Sequence, residues 1–311
     1  MRAGNTISPI CLLLALIAVF TSCPKAHATE DGGSQRPLGV ATILQGVAPT
    51  PPGFNIINDD VFYNSDRVNN SRGAKAVPNF HVDVMASVLR LDYSLDEPIG
   101  GIRFGAKLIM PFPRVNLTIG SGPGAVHQEK AGLGDIAVVP LVAGWEFETP
   151  VGHLNQSGEF GIVLPTGSFQ ATDAVNLGRN YTAFGFSQGN SLFPTKETHI
   201  GFVTNYIIGN KNPATNYQSG DEFILDWSMG YEITRDLAVD VSGYYYKQIT
   251  NDYRAGVLVN GDGNKGQAVG IGPQIRFKFH PGAITFKWHT EMAVQNRAQG
   301  NRFWVQFYHP L

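Results

Sequence analysis

The feature that most constrains this chain is an alternation of apolar and polar residues. It returns in segments of about ten residues, with Gly, Pro, Asn and Asp between them. In 283–293, Ile284, Phe286, Trp288, Thr290 and Met292 share one face, and Thr285, Lys287, His289 and Glu291 the other. Just before it, Val269, Ile271, Ile275, Phe277 and Phe279 oppose Gln274, Arg276 and Lys278. In the last segment Phe303, Val305 and Phe307 oppose Arg302, Trp304, Gln306 and Tyr308. An earlier one sets Ile102, Phe104, Ala106, Leu108 and Met110 against Arg103 and Lys107. A period of two is the period of a strand with two unlike faces. A soluble sandwich has it too. Repetition of long apolar stripes opposite charges of both signs, along the whole chain, favours a membrane barrel with a polar lumen.

The pattern predicts strands at 54–64, 78–93, 100–112, 134–147, 155–164, 180–189, 197–208, 221–232, 237–250, 265–279, 283–293 and 301–309. The expected fold is therefore all-β, a transmembrane antiparallel up-and-down β-barrel of about 12 strands. Linker lengths support it. Those after odd-numbered strands are long (65–77, 113–133, 165–179, 209–220, 251–264, 294–300). Those after even-numbered strands are short (94–99, 148–154, 233–236, 280–282), with 190–196 intermediate. Outer-membrane barrels alternate long extracellular loops with short periplasmic turns, so a periplasmic N-terminus would place every long linker outside the cell.

Composition agrees. The chain has 36 Gly, 11% aromatic and 15% charged residues, with a net charge of -2. No basic surface advertises nucleic acid. Mean hydropathy of -0.08 is too low for a bundle of membrane helices.

Residues 1–28 read as a signal peptide. Arg2 gives a positive start, 11–20 is a short apolar run, and Ala26-His27-Ala28 is a small-x-small cleavage pattern. The run is too short to span a bilayer, which needs roughly 20 residues. A lipoprotein reading at Cys23 competes, although Phe20-Thr21-Ser22 approaches it poorly. Cys11 and Cys23 both precede the cleavage site, so the mature chain holds no disulfide and no thiolate metal site. Residues 29–53, rich in Gly, Pro and small residues, are either a disordered lead or a plug folded into the lumen. The barrel is expected over 54–311.

No catalytic motif stands out: there is no Gly-x-Ser-x-Gly elbow, P-loop or His-Glu-x-x-His. Gly120-Ser-Gly-Pro-Gly124 opens no helix and reads as a loop, and Asp262-Gly-Asn264 as a turn rather than a calcium site. Neither enzyme activity, cofactor nor metal is expected. The candidate site is the inward polar face. On strand parity it holds Arg103, Lys107, Asp226, Asp240, Gln274, Arg276 and Lys278, and further along Lys287, His289, Glu291, Arg302 and Gln306. Arg or Lys facing mid-bilayer lipid would cost about 2–4 kcal/mol. Such charges either line a conducting lumen or pair across it structurally. Asp135 and Arg179, at strand ends beside long loops, either form a charged constriction or serve local turns and pairs. Tyr244-Tyr245-Tyr246 is either an interfacial girdle or a set of ordinary strand aromatics.

Several strings share one resemblance. They are Pro51-Pro-Gly-Phe-Asn-Ile-Ile-Asn-Asp-Asp-Val-Phe-Tyr63, Gly132-Leu-Gly-Asp-Ile136, Leu164-Pro-Thr-Gly-Ser-Phe169 and Asn176-Leu-Gly-Arg-Asn-Tyr181. Tyr217-Gln-Ser-Gly-Asp-Glu222, Gly243-Tyr-Tyr-Tyr-Lys-Gln248 and Glu291 with Asn296-Arg-Ala-Gln-Gly300 follow in order. Together the chain resembles the outer-membrane family associated with the meta-cleavage pathway of phenol degradation, which includes sphingosine-induced porins. The resemblance implies a passive channel for small hydrophobic or amphipathic compounds, aromatics or long-chain lipids and amines. It also implies contact with outer-membrane lipid and with the barrel-insertion machinery. Many such chains end in Phe or Trp; this one ends Tyr308-His-Pro-Leu311, leaving Phe307 or Tyr308 to act as the insertion signal. The alternatives are a structural barrel without transport and a lipid-modifying barrel enzyme. The enzyme would need a Ser–His pair near the outer rim, and His81, His289 and the scattered serines give no recognisable one in sequence.

Overall fold

A computed structural model describes residues 30–43, 46–47 and 52–311. The expected signal peptide lies outside the described residues. Twelve strands form the wall: β1 (Gly53–Ser65), β2 (Phe80–Ser94), β3 (Arg103–Ile119), β4 (Ala137–Thr149), β5 (Gly152–Val163) and β6 (Ala183–Phe193). They continue with β7 (Thr198–Gly209), β8 (Glu222–Glu232), β9 (Leu237–Gln248), β10 (Gln267–Lys278), β11 (Ala283–Gln295) and β12 (Asn301–Pro310). Each pairs antiparallel with its sequence neighbours, and β1 pairs β12 from Asn55↔Pro310 to Asn64↔Asn301, which closes the sheet. Closure leaves no unpaired sheet edge, the condition for a sheet to stand in hydrocarbon.

Parity decides the faces. Along β1, Phe54 and Phe62 project outward and are exposed, while Asn55, Asp59 and Ser65, of the opposite parity, are buried in the interior. Along β11, Trp288 and Met292 are exposed outside, and Lys287, His289 and Glu291 are buried inside. A slip of one residue would turn the charges into lipid, so the pattern fixes the register. Paired outer aromatics mark two levels of the wall: Phe54 with Tyr93 (centroids 4.8 Å apart) at one end, and Phe62 with Phe303 (6.3 Å) toward the other.

The connections at one end are short: 150–151, 194–197, 233–236 and 279–282. At the other end 66–79, 120–136, 164–182, 210–221 and 249–266 are long and partly structured. Three differences from the sequence reading have local causes. Strand β3 runs to Ile119 instead of 112, because it stays paired with Phe80–Met85 of β2 while Val126–Ala131 folds back against Arg114–Ile119 on its other side. The expected long linker 294–300 contracts to 296–300, since β11 continues to Gln295 past a bulge at Ala293 (φ 52°). Residues 210–221 and 249–266 share a three-stranded mini-sheet, Tyr217–Gln218, Tyr253–Arg254 and Val257–Leu258, closed by Tyr217 Oη donating to Asp252 (2.6 Å).

Candidate functional site in the lumen

The inward positions carry the charges that parity assigns to them. Arg103 and Lys107 stand on β3, Asp226 on β8, Asp240 on β9, and Arg276 and Lys278 on β10. Lys287, His289 and Glu291 follow on β11 and Arg302 on β12. They do not form one cluster. The inner wall divides into two halves with different partners.

On the β7–β12 half, residues 34–43 run across the lumen and are held by wall side chains. Glu222 accepts from Ser34 Oγ (2.6 Å), and Asp226 accepts from the N–H groups of Gly39 (3.0 Å) and Ala41 (3.1 Å). Arg36 reaches Asn205 and lies 3.7 Å from Asp226. Lys287 Nζ donates to the carbonyls of Gly39 (2.6 Å) and Val40 (3.0 Å) and to Thr42 Oγ1 (2.9 Å). Arg302 donates to Leu38 O (3.0 Å), Gln306 to Val40 O (3.0 Å), and Gln274 accepts from Thr42 Oγ1 (2.7 Å). Leu38 itself joins an apolar cluster with Tyr181, Ile224, Tyr244 and Tyr246. Gly39 is required where it sits: its φ is +76°, and a Cβ there would come within 2.7 Å of Tyr244 and 2.8 Å of His289. At least one charge-assisted bond every few residues turns this strip of chain into part of the wall.

The β2–β5 half has its own pairs. Arg90 Nε bonds Asp92 (2.9 Å), and Lys107 Nζ bonds Glu159 (2.6 Å). No hydrogen bond joins these four to the described part of the N-terminal segment. One member of each pair stays open: the Arg90 side chain is 30% and Glu159 24% exposed, while Asp92 (6%) and Lys107 (12%) lie deeper; Asp226 is at 0% and Lys287 at 1% as whole residue. At the short-turn end this half opens into a cavity of about 170 Å³ lined by Pro98, Gly101, Arg103, Gly144, Trp145, Glu146 and Asn155. Arg103 Nη1 is buried there without a hydrogen-bond partner among the described residues.

Other residues singled out in the sequence have separate places. Asp135 accepts the backbone N–H groups of Gly167 (2.9 Å) and Arg179 (2.7 Å), so it clamps the base of the 164–182 loop. Burial holds its carboxyl above the ordinary range despite those donors. The Arg179 guanidinium donates to the carbonyls of Glu30 and Ser34. The tip of the same loop is latched by Lys130 to Asp173, which holds the Asp173 carboxyl below the ordinary range, and Val175 is buried among Val68, Phe80, Val82 and Leu117.

Of the three consecutive tyrosines, Tyr244 and Tyr246 point inward and are fully buried, leaving only Tyr245 outside; they form no girdle. Tyr244 donates to Glu291 (2.6 Å). His289 Nε2 lies 2.9 Å from Ser242 Oγ, a pair that sequence spacing did not reveal. Among the described residues its Nδ1 has no partner and no carboxylate orients the ring, and the pair sits inside the lumen beneath Gly39 rather than at the outer rim. Asp240 bonds His199. Arg276 and Lys278 share Glu232 (2.8 and 2.6 Å) at the short-turn end. Sequence reasoning missed Arg90, Asp92, Glu159 and Glu222. Parity was the available signal for Arg90 and Asp92, two inward positions in one strand.

Residues 65–307, more than three quarters of the chain, match the family described as "Putative MetA-pathway of phenol degradation". The chain belongs to that family. No curated protein sequence matches it. Among solved structures it is similar to an outer-membrane channel from Pseudomonas putida F1, at 15% identity and a TM-score of 0.72, covering 84% of this chain and 97% of that one. Weaker likenesses are to the β domain of the Bordetella autotransporter BrkA (10% identity, TM-score 0.43, 84% and 100% covered) and to the monoaromatic hydrocarbon channel CymD (10%, 0.43, 84% and 89%). Family and fold agree on a bacterial outer-membrane β-barrel.

Proposed function

We propose that this family member is a passive channel for small aromatic or amphipathic compounds, with a path confined to the β2–β5 half of the lumen. The observation that carries this reading is the unequal dressing of the inner wall. Residues 34–43 bond Asn205, Glu222, Asp226, Gln274, Lys287, Arg302 and Gln306 on β7–β12, while Arg90 and Glu159, of the ion pairs Arg90–Asp92 and Lys107–Glu159, stay partly exposed and lead toward the cavity at Arg103. Paired charges of both signs suit a solute with a polar edge and an apolar body. The family description, a phenol-degradation pathway, supports aromatics. Loop lengths support an orientation with the long loops outside the cell and the cavity facing the periplasm. Solute would diffuse down its gradient, and Phe307 or Tyr308 would serve the insertion machinery.

A structural barrel without transport is the competing reading, favoured by the complete burial of Asp226 and Lys287 beneath the segment. Reconstitution separates the two. The channel reading expects discrete conductance in planar bilayers and entry of phenol into liposomes. Absence of both leaves the structural barrel.

A further inference from the structure

Three cations that take no part in the lumen meet on the outer side of the long-loop rim. Lys247, near the end of β9, pairs in register with Gln267 of β10, and Gln248 N–H donating to Gly266 O carries that pairing one step further. Lys265 therefore stands on the same outward face, diagonally above Lys247 and near enough for the two charges to repel. Arg72 arrives from the 66–79 loop. With Asn69, Gln267, Gln295 and Gln299 it lines a notch of about 180 Å³. Gln267 joins the notch to the lysines: its Oε1 accepts from Lys247 Nζ (2.9 Å), and its Nε2 is fixed on Ala293 O (3.2 Å).

The backbone holds these charges together. Asn296 is the tie: its N–H donates to Asn70 O in the loop (3.2 Å) and its Nδ2 to Lys265 O (3.0 Å). Asn69 Nδ2 adds a bond to Val294 O (2.9 Å). Like charges gathered on one face of a sheet are destabilising unless something offsets them. Among the described residues none of the three cations forms an ion pair. The carboxylates of the same rim are engaged elsewhere: Asp221 accepts from Tyr206 Oη (2.8 Å), Asp262 from Asn264 N–H (3.0 Å) and Asp252 from Tyr217 Oη (2.6 Å). The offset has to come from outside the chain.

The depth of the notch says from where. Below it on the same outward face, Tyr245 packs against Phe223 (centroids 6.5 Å apart), and Met292 is exposed. Aromatic rings on the outer face mark the level at which a barrel wall leaves hydrocarbon. Lys247 is two residues above Tyr245, roughly 7 Å along the strand, which puts the three cations among the lipid headgroups. The long loops place this end outside the cell, so the headgroups are those of the outer leaflet, where lipopolysaccharide carries phosphates on its lipid A anchor. We infer that Arg72, Lys247 and Lys265 form a binding site for a lipid A phosphate. The planar guanidinium of Arg72 can give a phosphate two parallel N–H bonds, and the two ammonium groups add point charges. Acyl chains then lie along Tyr245, Phe223 and Met292. The inference rests on the orientation proposed above and is independent of transport.

The test uses the full chain, matured in cells, purified and stripped of lipid in detergent. Lipid A, lipid A lacking its phosphates, and phosphatidylglycerol are titrated separately and followed by native mass spectrometry. The expected result is one lipid A per chain, bound on the order of tenfold more tightly than either control lipid. The triple variant Arg72→Gln/Lys247→Gln/Lys265→Gln should lose about that factor, with heat-modifiable migration on gels checking its assembly. Arg72→Gln alone, which alters only an exposed loop, should lose roughly threefold and keeps the test open if the triple variant assembles poorly. Orientation is checked separately. Because the mature sequence is read as cysteine-free, Ser71→Cys should react with a membrane-impermeant maleimide on intact cells. Equal lipid A binding by wild type and both variants, equal affinity for either control lipid, displacement of lipid A by inorganic phosphate, or no labelling of Ser71→Cys on intact cells would overturn the inference.

Discussion

The two halves of the lumen wall are built from the same kinds of residue and end in different states. On β7–β12, Asp226, Lys287 and Arg302 are saturated by the chain's own N-terminal segment. On β2–β5, Arg90 pairs with Asp92 and Lys107 with Glu159, and Arg90 and Glu159 remain in reach of solvent. Inward charge alone therefore does not define a path. A charge whose bonds are filled by backbone carbonyls and N–H groups has become structure. One paired only with a side chain across a strand can exchange that partner for solute or water.

Removing the segment breaks the comparison most severely. Deletion of 30–47 should make both halves alike and raise single-channel conductance on the order of tenfold, the lumen of a 12-stranded wall being wider than side chains fill. Unchanged conductance would mean that the segment does not narrow the path. Lys287→Met should act in the same direction more mildly. It leaves the carbonyls of Gly39 and Val40 and the Thr42 hydroxyl without their donor, a cost of about 1–3 kcal/mol. A lower temperature for loss of the folded gel band, with noisier current, is the readout.

Glu159→Gln sharpens the other side. Lys107 loses its charged partner on the open half, so reversal potentials in a salt gradient should move toward anion preference by about twofold. The matched change Asp226→Asn, under the segment, should leave selectivity unaltered. The smallest effect concerns the Lys130–Asp173 latch. Lys130 lowers the folded-state value of Asp173, so the latch contributes fully above the unfolded value of 3.8 and is lost as pH falls through the lower folded value. Current traces should be steady from pH 8 to about pH 5 and flicker only below about pH 4, whereas Lys130→Met should flicker at pH 7.

The wall was legible because strand parity is local: alternation such as Ile284, Phe286, Trp288 against Thr285, Lys287, His289 states the face of each residue in the sequence itself. Parity placed the lumen-facing charges for the same reason. What parity does not carry is partnership across the lumen. Lys287 meets Gly39 across 248 positions of sequence, and Ser242 meets His289 across 47. Nothing in the local pattern distinguishes a charge bound by a plug-like strip from one left open.

The claim that the path follows β2–β5 is tested most directly by site-specific thiol modification during single-channel recording. Arg90→Cys stands on the open half, and Ser242→Cys lies beneath the segment beside His289. A charged thiol reagent should step the current down promptly in the Arg90→Cys channel and leave the Ser242→Cys channel unaffected. Equal block of both, or block of Ser242→Cys alone, would contradict the division of the lumen into a filled half and a conducting one.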